Sequence, residues 1–324
     1  MYYKLNPTIA SLALMVGVAF AQDSIDRAMP FTIENPTDTI KKTIDEIIIE
    51  GYFQTRDAVN LHYRFMVRPQ ATSTIIVSCG CWPGDKDGYL SLAGALPTNC
   101  NILFYDGRGR GKSDYNSFYL PRAELGSGLI QTATFSYGIK ERLDVIAAVE
   151  FANKQMQGLP CILLGFCGGA YNSLHAAIAL KHENKLKALN IIGIVVDSGF
   201  GRIKDAFDSN VKNWADDHLP SFFAPILCCV IHTFLAPLIN DKETNLLGII
   251  NQLQLPIMFI HSKDDNAVPI NVAYELANQI DKDRKHCWWI TEPSKHIEHY
   301  NRYPSLYKEK ITEFILFATN YSAP

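Results

Sequence analysis

Short apolar runs recur from residue 74 onward, at 74–79, 101–105, 161–164, 191–196, 257–261 and 287–290. They lack the alternation of a half-solvated strand. Continuous runs of this length are the pattern of strands buried on both faces, as parallel strands are. Earlier, residues 47–53 and 60–67 are β-rich and separated by a turn at Arg56-Asp57, which predicts an antiparallel pair. Between the apolar runs the period changes. Residues 140–153 carry Leu143, Ile146, Ala147 and Phe151 at helical spacing, 167–180 read as a second helix, and 304–318 as a closing one. Strands alternating with helices predict an α/β fold, a mostly parallel sheet with helices on both faces.

Three stretches depart from this rhythm. The first 21 residues carry one charge, Lys4, then an apolar run from Ile9 to Phe20 ending Ala19-Phe20-Ala21. Small residues at the last and third-last positions are what a signal peptidase accepts, so residues 1–21 read as a signal peptide cut after Ala21. The chain would then be exported, to the periplasm or beyond. The alternative is an uncleaved membrane anchor, but spanning takes about 20 apolar residues. Residues 22–45 are polar, include Pro30 and Pro36, and read as a lead-in segment. The third departure lies between the strands at 191–196 and 257–261. There, residues 222–239 hold no charge, but Pro225, His232 and Pro237 interrupt them, which makes a poor membrane helix. A helical lid over 201–254, inserted into a core of 46–200 and 255–324, fits better. A purely structural insertion is the alternative.

Composition narrows the classes. With 48% hydrophobic and 19% charged residues in 324, the chain can bury a sizeable core. A net charge of −3 without a block of Lys or Arg argues against a nucleic-acid partner. An exported chain can form disulfides, yet if Cys167 stays free the remaining seven of its eight cysteines cannot all pair. Cys79-x-Cys81 is too tightly spaced for a usual zinc pair and no matching His pair exists, so no metal is expected.

The motif that carries chemistry is Gly165-Phe166-Cys167-Gly168-Gly169, between the run at 161–164 and the helix beginning there. A nucleophile on a sharp strand-to-helix turn has strained backbone angles, so its neighbours two residues away must be tiny. Gly165 and Gly169 meet that need. The turn also sets Cys167 at a helix N-terminus, where unsatisfied N–H groups and the helix dipole favour a thiolate. The Gly168 N–H is positioned to stabilise an oxyanion.

From about Ile47 to Ala318 the chain resembles the α/β-hydrolases, with a lipase- or serine-aminopeptidase-like body. Asp106-Gly107-Arg108-Gly109-Arg110-Gly111-Lys112-Ser113 resembles that family's Asp-x-x-Gly-x-Gly-x-Ser loop, and Tyr137-Gly138 with Glu141 and Asp144 resembles the start of its next helix. Most relatives have Ser where this chain has Cys167. Cysteine in this turn is similar to the dienelactone hydrolases and polyhydroxyalkanoate synthases, which use Cys-His-Asp triads. The resemblance implies an acid in His261-Ser262-Lys263-Asp264-Asp265-Asn266-Ala267-Val268-Pro269, where the register selects Asp265, with Asp264 as alternate and Asp197 behind both. It implies a base after the last strand: His296, with His299 as alternate. His175 and His232 read as core or lid residues. The loop Cys79-Gly80-Cys81-Trp82 replaces the family's His-Gly-x, so the second oxyanion donor is expected from the N–H of Cys81 or alternatively Trp82. No organic cofactor is implied.

The expected function is hydrolysis of carboxylic ester, lactone or thioester bonds through an acyl-enzyme. The expected substrate is a small-molecule or lipid-like acyl compound, and an apolar lid offers a surface for transient membrane contact. The alternatives are an acyltransferase with the same triad and a catalytically inactive binding protein of this fold.

Overall fold

A single sheet organises the molecule. Its strands are β1 (Ile47–Gln54), β2 (Asn60–Val67), β3 (Ser73–Ser78), β4 (Cys100–Tyr105), β5 (Cys161–Phe166), β6 (Ile191–Asp197), β7 (Ile257–Ser262) and β8 (Lys285–Ile290). They hydrogen-bond in the order β1-β2-β4-β3-β5-β6-β7-β8. β1 and β2 are antiparallel, as the sequence predicts, and β2 is also antiparallel to β4. All other pairs are parallel. The computed structural model describes residues 46–80, 85–114, 138–156, 158–206, 209 and 245–321. The expected signal peptide and lead-in, Cys81, Trp82, Tyr137, His232 and most of the expected lid lie outside these residues.

The helices are α1 (Glu141–Gln155), α2 (Gly168–His182), α3 (Ile270–Ala277), α4 (His299–Arg302) and α5 (Pro304–Asn320), with a 3-10 helix at Lys86–Ala95. The 3-10 helix and α4 were not legible as periodic patterns, since the first contains Gly88 and Gly94 and the second is short. α3 buries Val272, Ala273, Leu276 and Ala277 at helical spacing, a pattern that the sequence reading passed over. Strand periodicity explains how the continuous apolar runs serve two cores, since successive side chains point to opposite faces. Ile76, Leu163 and Ile194 pack on one face with Val145, Ala148, Leu174 and Ala177 of α1 and α2. Ile75, Val77, Ile162, Leu164 and Val195 pack on the other with Leu92 and with Tyr307, Ile311 and Phe314 of α5. Each fully buried Val, Leu, Ile or Phe among them contributes ~1.5–3 kcal/mol. At the sheet edge, β1 leaves Ile47, Ile48, Ile49 and Tyr52 exposed.

Parallel strands stack their C-terminal ends on one edge, and the loops that hold the candidate residues all leave from that edge. The expected lid region joins the core at a closed base. The Leu246 N–H donates to the Gly201 carbonyl at 2.9 Å, and Arg202 bridges Asn245. Among the described residues no helix is long and apolar enough to cross a membrane.

A buried charge organises the same edge beside β3. Asp106, at the end of β4, is fully buried, and Lys86 is 1% exposed. One Asp106 oxygen accepts from the Lys86 N–H at 2.8 Å, and the other from Lys86 Nζ at 3.0 Å and the Lys112 N–H at 3.0 Å. The glycine-rich loop is thus wound around a carboxylate. Removing one member of a buried ion pair strands the other charge. Lys86→Ala is therefore expected to lower the unfolding free energy by ~3–5 kcal/mol, read from urea denaturation. An unchanged midpoint would show that backbone N–H groups suffice for Asp106.

Candidate active site

Cys167 joins β5 to α2 with φ 50° and ψ −117°. For a residue with a Cβ this is a sparsely populated conformation, which costs on the order of 1–3 kcal/mol. Two close approaches enforce it. A Cβ on Gly169 would collide with the Ser78 and Cys79 carbonyl oxygens at the end of β3. A Cβ on Gly165 would collide with the Ala170 backbone, 2.5 Å from its nitrogen. The Cys167 N–H donates to the Asp197 carbonyl at 2.8 Å, which ties the turn to the end of β6. Cys167 is 8% exposed, and Gly168 opens a helix with ten of its first ten residues buried, from Gly168 to Ala177. The Gly168 N–H, in the first turn, has no acceptor within the helix.

Asp265 and His296 meet on the same edge. His296 Nδ1 lies 2.8 Å from Asp265 Oδ2. The other oxygen of Asp265 accepts from the Ala267 N–H at 2.9 Å and the Val268 N–H at 2.8 Å. His261 Nε2 donates to the Val268 carbonyl at 2.8 Å and stands 3.4 Å from Asp265 Oδ2. Burial alone would raise the Asp265 pKa, but the imidazoles of His296 and His261 and the Val268 N–H outweigh it and hold the carboxyl below its usual value. The other sequence candidates stand elsewhere. Asp264 is exposed. His299 is fully buried between Ser294 and Ser198, and burial drives its pKa down to about 3. Asp197 is fully buried beside it, with its pKa raised to about 7 by desolvation. His175 is buried against Tyr171.

Of the expected oxyanion loop, Gly80 is described and Cys81 and Trp82 are not. Gly80 packs beside Cys167: a Cβ there would lie 3.7 Å from Cys167 Cβ. Two side chains grip it. Its N–H donates to Tyr89 Oη at 3.0 Å, and Arg110 Nη1 donates to its carbonyl. Arg108, two residues earlier, is buried and pairs with Asp144 of α1 at 2.7 Å and Asp57 at 2.8 Å. Burial raises Asp144 to about 6 against the pull of Arg108. Sequence reasoning missed Tyr89, Arg110, Ser198 and Tyr307 as neighbours of the site. Arg110 had a signal, a cation inside the glycine-rich loop. The others have none, because their roles arise from contacts distant in sequence. Among the described residues Cys79, Cys100, Cys161, Cys167 and Cys287 form no disulfide.

No family model matches the chain. It is 24% identical over 255 residues to the uncharacterised protein YqkD of Bacillus subtilis, covering 78% of this chain and 74% of that one. Among solved structures it is similar to the esterase Pf2001 of Pyrococcus furiosus, with a TM-score of 0.59, 18% identity, and 84% and 92% of the two chains covered. It is also similar to the α/β-hydrolase GrgF of a Penicillium species, with a TM-score of 0.57, 15% identity, and 86% and 100% covered. With the sheet order above, these likenesses establish that the chain has the α/β-hydrolase fold.

The Asp265 shift has a thermodynamic consequence. A carboxyl with a depressed folded pKa binds fewer protons in the native state than in the unfolded one. Its stabilisation is present above its unfolded pKa and is lost as pH falls through the folded value. Asp265→Asn should therefore flatten the acid limb of stability below pH ~4, measured by denaturation at stepped pH. Parallel curves for the two proteins would contradict the assignment.

Proposed function

We propose that the chain is a hydrolase of carboxylic esters, lactones or thioesters, with Cys167 as nucleophile, His296 as base and Asp265 as the acid that orients it. The observation carrying this reading is the strained Cys167 turn on the same sheet edge as the 2.8 Å His296–Asp265 pair. Likeness to the Pyrococcus esterase supports the ester-cleaving class, and the proposal of a thiol nucleophile rests on this chain's own turn at Cys167.

The steps follow from the donors and acceptors. With Nδ1–H given to Asp265, proton transfer falls to His296 Nε2, which takes the Cys167 thiol proton. The sulfur attacks the carbonyl carbon and forms a C–S bond, while charge moves onto the carbonyl oxygen. The N–H groups of Gly168 and Cys81 are the proposed donors to that oxyanion. Arg110 and Tyr89 hold Gly80, whose carbonyl carbon bears the Cys81 nitrogen. Collapse of the intermediate breaks the bond to the alcohol or thiol, which leaves with the proton from His296. Water then gives a proton to His296 and attacks the acyl-thioester. The C–S bond breaks, and the acid is released as the thiol re-forms. A thiolate is a strong nucleophile and a good leaving group, so activated acyl groups suit it. We propose an acyl, lipid-like substrate, in keeping with the uncharged sequence at 222–239, and export through residues 1–21.

Cys167→Ala is expected to abolish hydrolysis of short p-nitrophenyl esters, a loss of at least ~10³-fold in kcat/KM, while circular dichroism stays unchanged. Full activity in that variant would sink the nucleophile assignment. Iodoacetamide should alkylate Cys167 before the other thiols, and more slowly in His296→Ala, as read by peptide mass spectrometry. Product analysis with alcohol acceptors separates hydrolysis from acyl transfer.

A further inference from the structure

Several buried polar groups that the proposed chemistry does not use lie under the loop that carries His296. Asp197, Ser198 and His299 are fully buried, Tyr307 likewise, and Ser294 is 2% exposed. Counting donors assigns their protons. The depressed pKa of His299 leaves its ring neutral, with one N–H. The Ser198 hydroxyl donates to Asp197 Oδ1 at 3.0 Å. His299 Nε2–H must then donate to Ser198 Oγ, 3.1 Å away, and Nδ1 accepts from the Ser294 hydroxyl at 2.8 Å. Tyr307 of α5 donates to the other Asp197 oxygen at 2.9 Å.

This chain of bonds is anchored to each neighbouring part of the site. The Asp197 carbonyl holds the Cys167 N–H, and the Ser198 N–H donates to the Ile260 carbonyl of β7, the strand that ends in the acid loop. The Ile297 N–H donates to Ser198 Oγ at a longer 3.4 Å. Ser294 and Ile297 therefore bracket His296, and both are fastened from below. Ile297 itself sits at φ 51°, a left-handed conformation that is unfavourable for a β-branched residue. Such a conformation persists only when its surroundings over-determine it. The geometric pair Asp197–His299 also resembles a second acid and imidazole, yet both are sealed from solvent and cannot reach substrate.

We propose that Ser198 and His299, seated on Asp197, are positioning residues that hold His296 in register between Asp265 and Cys167 through the 294–299 loop. The kinetic part of this proposal rests on the Cys167–His296–Asp265 reading. Its structural part concerns the His296–Asp265 pair and can be measured without turnover.

The test uses the full chain with Ser198→Ala and Tyr307→Phe. The readouts are thermal unfolding, a ¹⁵N imidazole NMR titration of His296, and the pH profile of kcat and KM for a p-nitrophenyl ester. The titratable groups around His296 are Asp265, His261, Asp197 and His299, with the Cys167 thiol as the fifth on the proposed reading, and the titration must be read with all five in place. Ser198→Ala should remain folded, shift the His296 titration, and lower kcat roughly tenfold to a hundredfold with little change in KM. Tyr307→Phe, which removes one hydroxyl and keeps the ring, should act in the same direction more weakly, and it decides the matter if Ser198→Ala fails to fold. A variant that melts earlier yet titrates and turns over like the parent would overturn the proposal, leaving the network a support of the fold alone. A His296 titration shifted by Ser198→Ala, when the parent protein itself hydrolyses none of the esters, would sustain the positioning role and sink the triad reading instead.

Discussion

The close approach of the first turn of α2 to the end of β3 is the constraint on which the rest of the site depends. Gly169 lies so near the Ser78 and Cys79 carbonyl oxygens that no Cβ fits between them. Gly165 meets the Ala170 backbone in the same way. With both side chains reduced to hydrogen, β5 can reverse into α2 within one residue. That residue, Cys167, absorbs the strain at φ 50°. Burial offsets the cost: β5 is buried throughout and α2 nearly so, between two apolar cores. The strain is local, and the packing that pays for it is spread over the whole sheet.

A second theme is how differently the buried carboxyls of this edge are balanced. Asp106 is held by Lys86 and two backbone N–H groups. Asp144 has Arg108, yet burial still raises it to about 6. Asp197 has two hydroxyl donors, Ser198 and Tyr307, which do not offset its desolvation, and it rises to about 7. Asp265 has two backbone N–H groups and two imidazoles, and it falls below its usual value. Two carboxyls at adjacent strand ends are thus driven in opposite directions by their partners. That difference makes Asp265 the anionic partner of His296 and leaves Asp197 suited to a hydrogen-bonded support.

Much of the fold was legible along the chain because its cause is local. A run such as Cys161-Ile162-Leu163-Leu164 announces a strand buried on both faces, and glycines at 165 and 169 announce a sharp turn. The 3-10 helix at Lys86–Ala95 was not legible, being glycine-broken and held by contacts made elsewhere. Nor could the strand order be read, in which β4 lies outside β3. Asp264 and Asp265 are neighbours in sequence and equal in chemistry. Only the path of the loop after β7 turns one toward His296 and the other to solvent.

The sequence by itself determined the fold class, the turn that presents Cys167, and the few residue types able to serve as acid and base. These follow from periodicity, glycine placement and side-chain chemistry, all of which act over a handful of residues. The tertiary structure decided which aspartate meets which histidine. It decided that Tyr89 and Arg110 clamp Gly80, and that Ser198 and His299 lie beneath the His296 loop. Those partners come from separate strands and loops. Hydrogen bonding and desolvation depend on distances of a few ångströms in space, which no local pattern along the chain encodes.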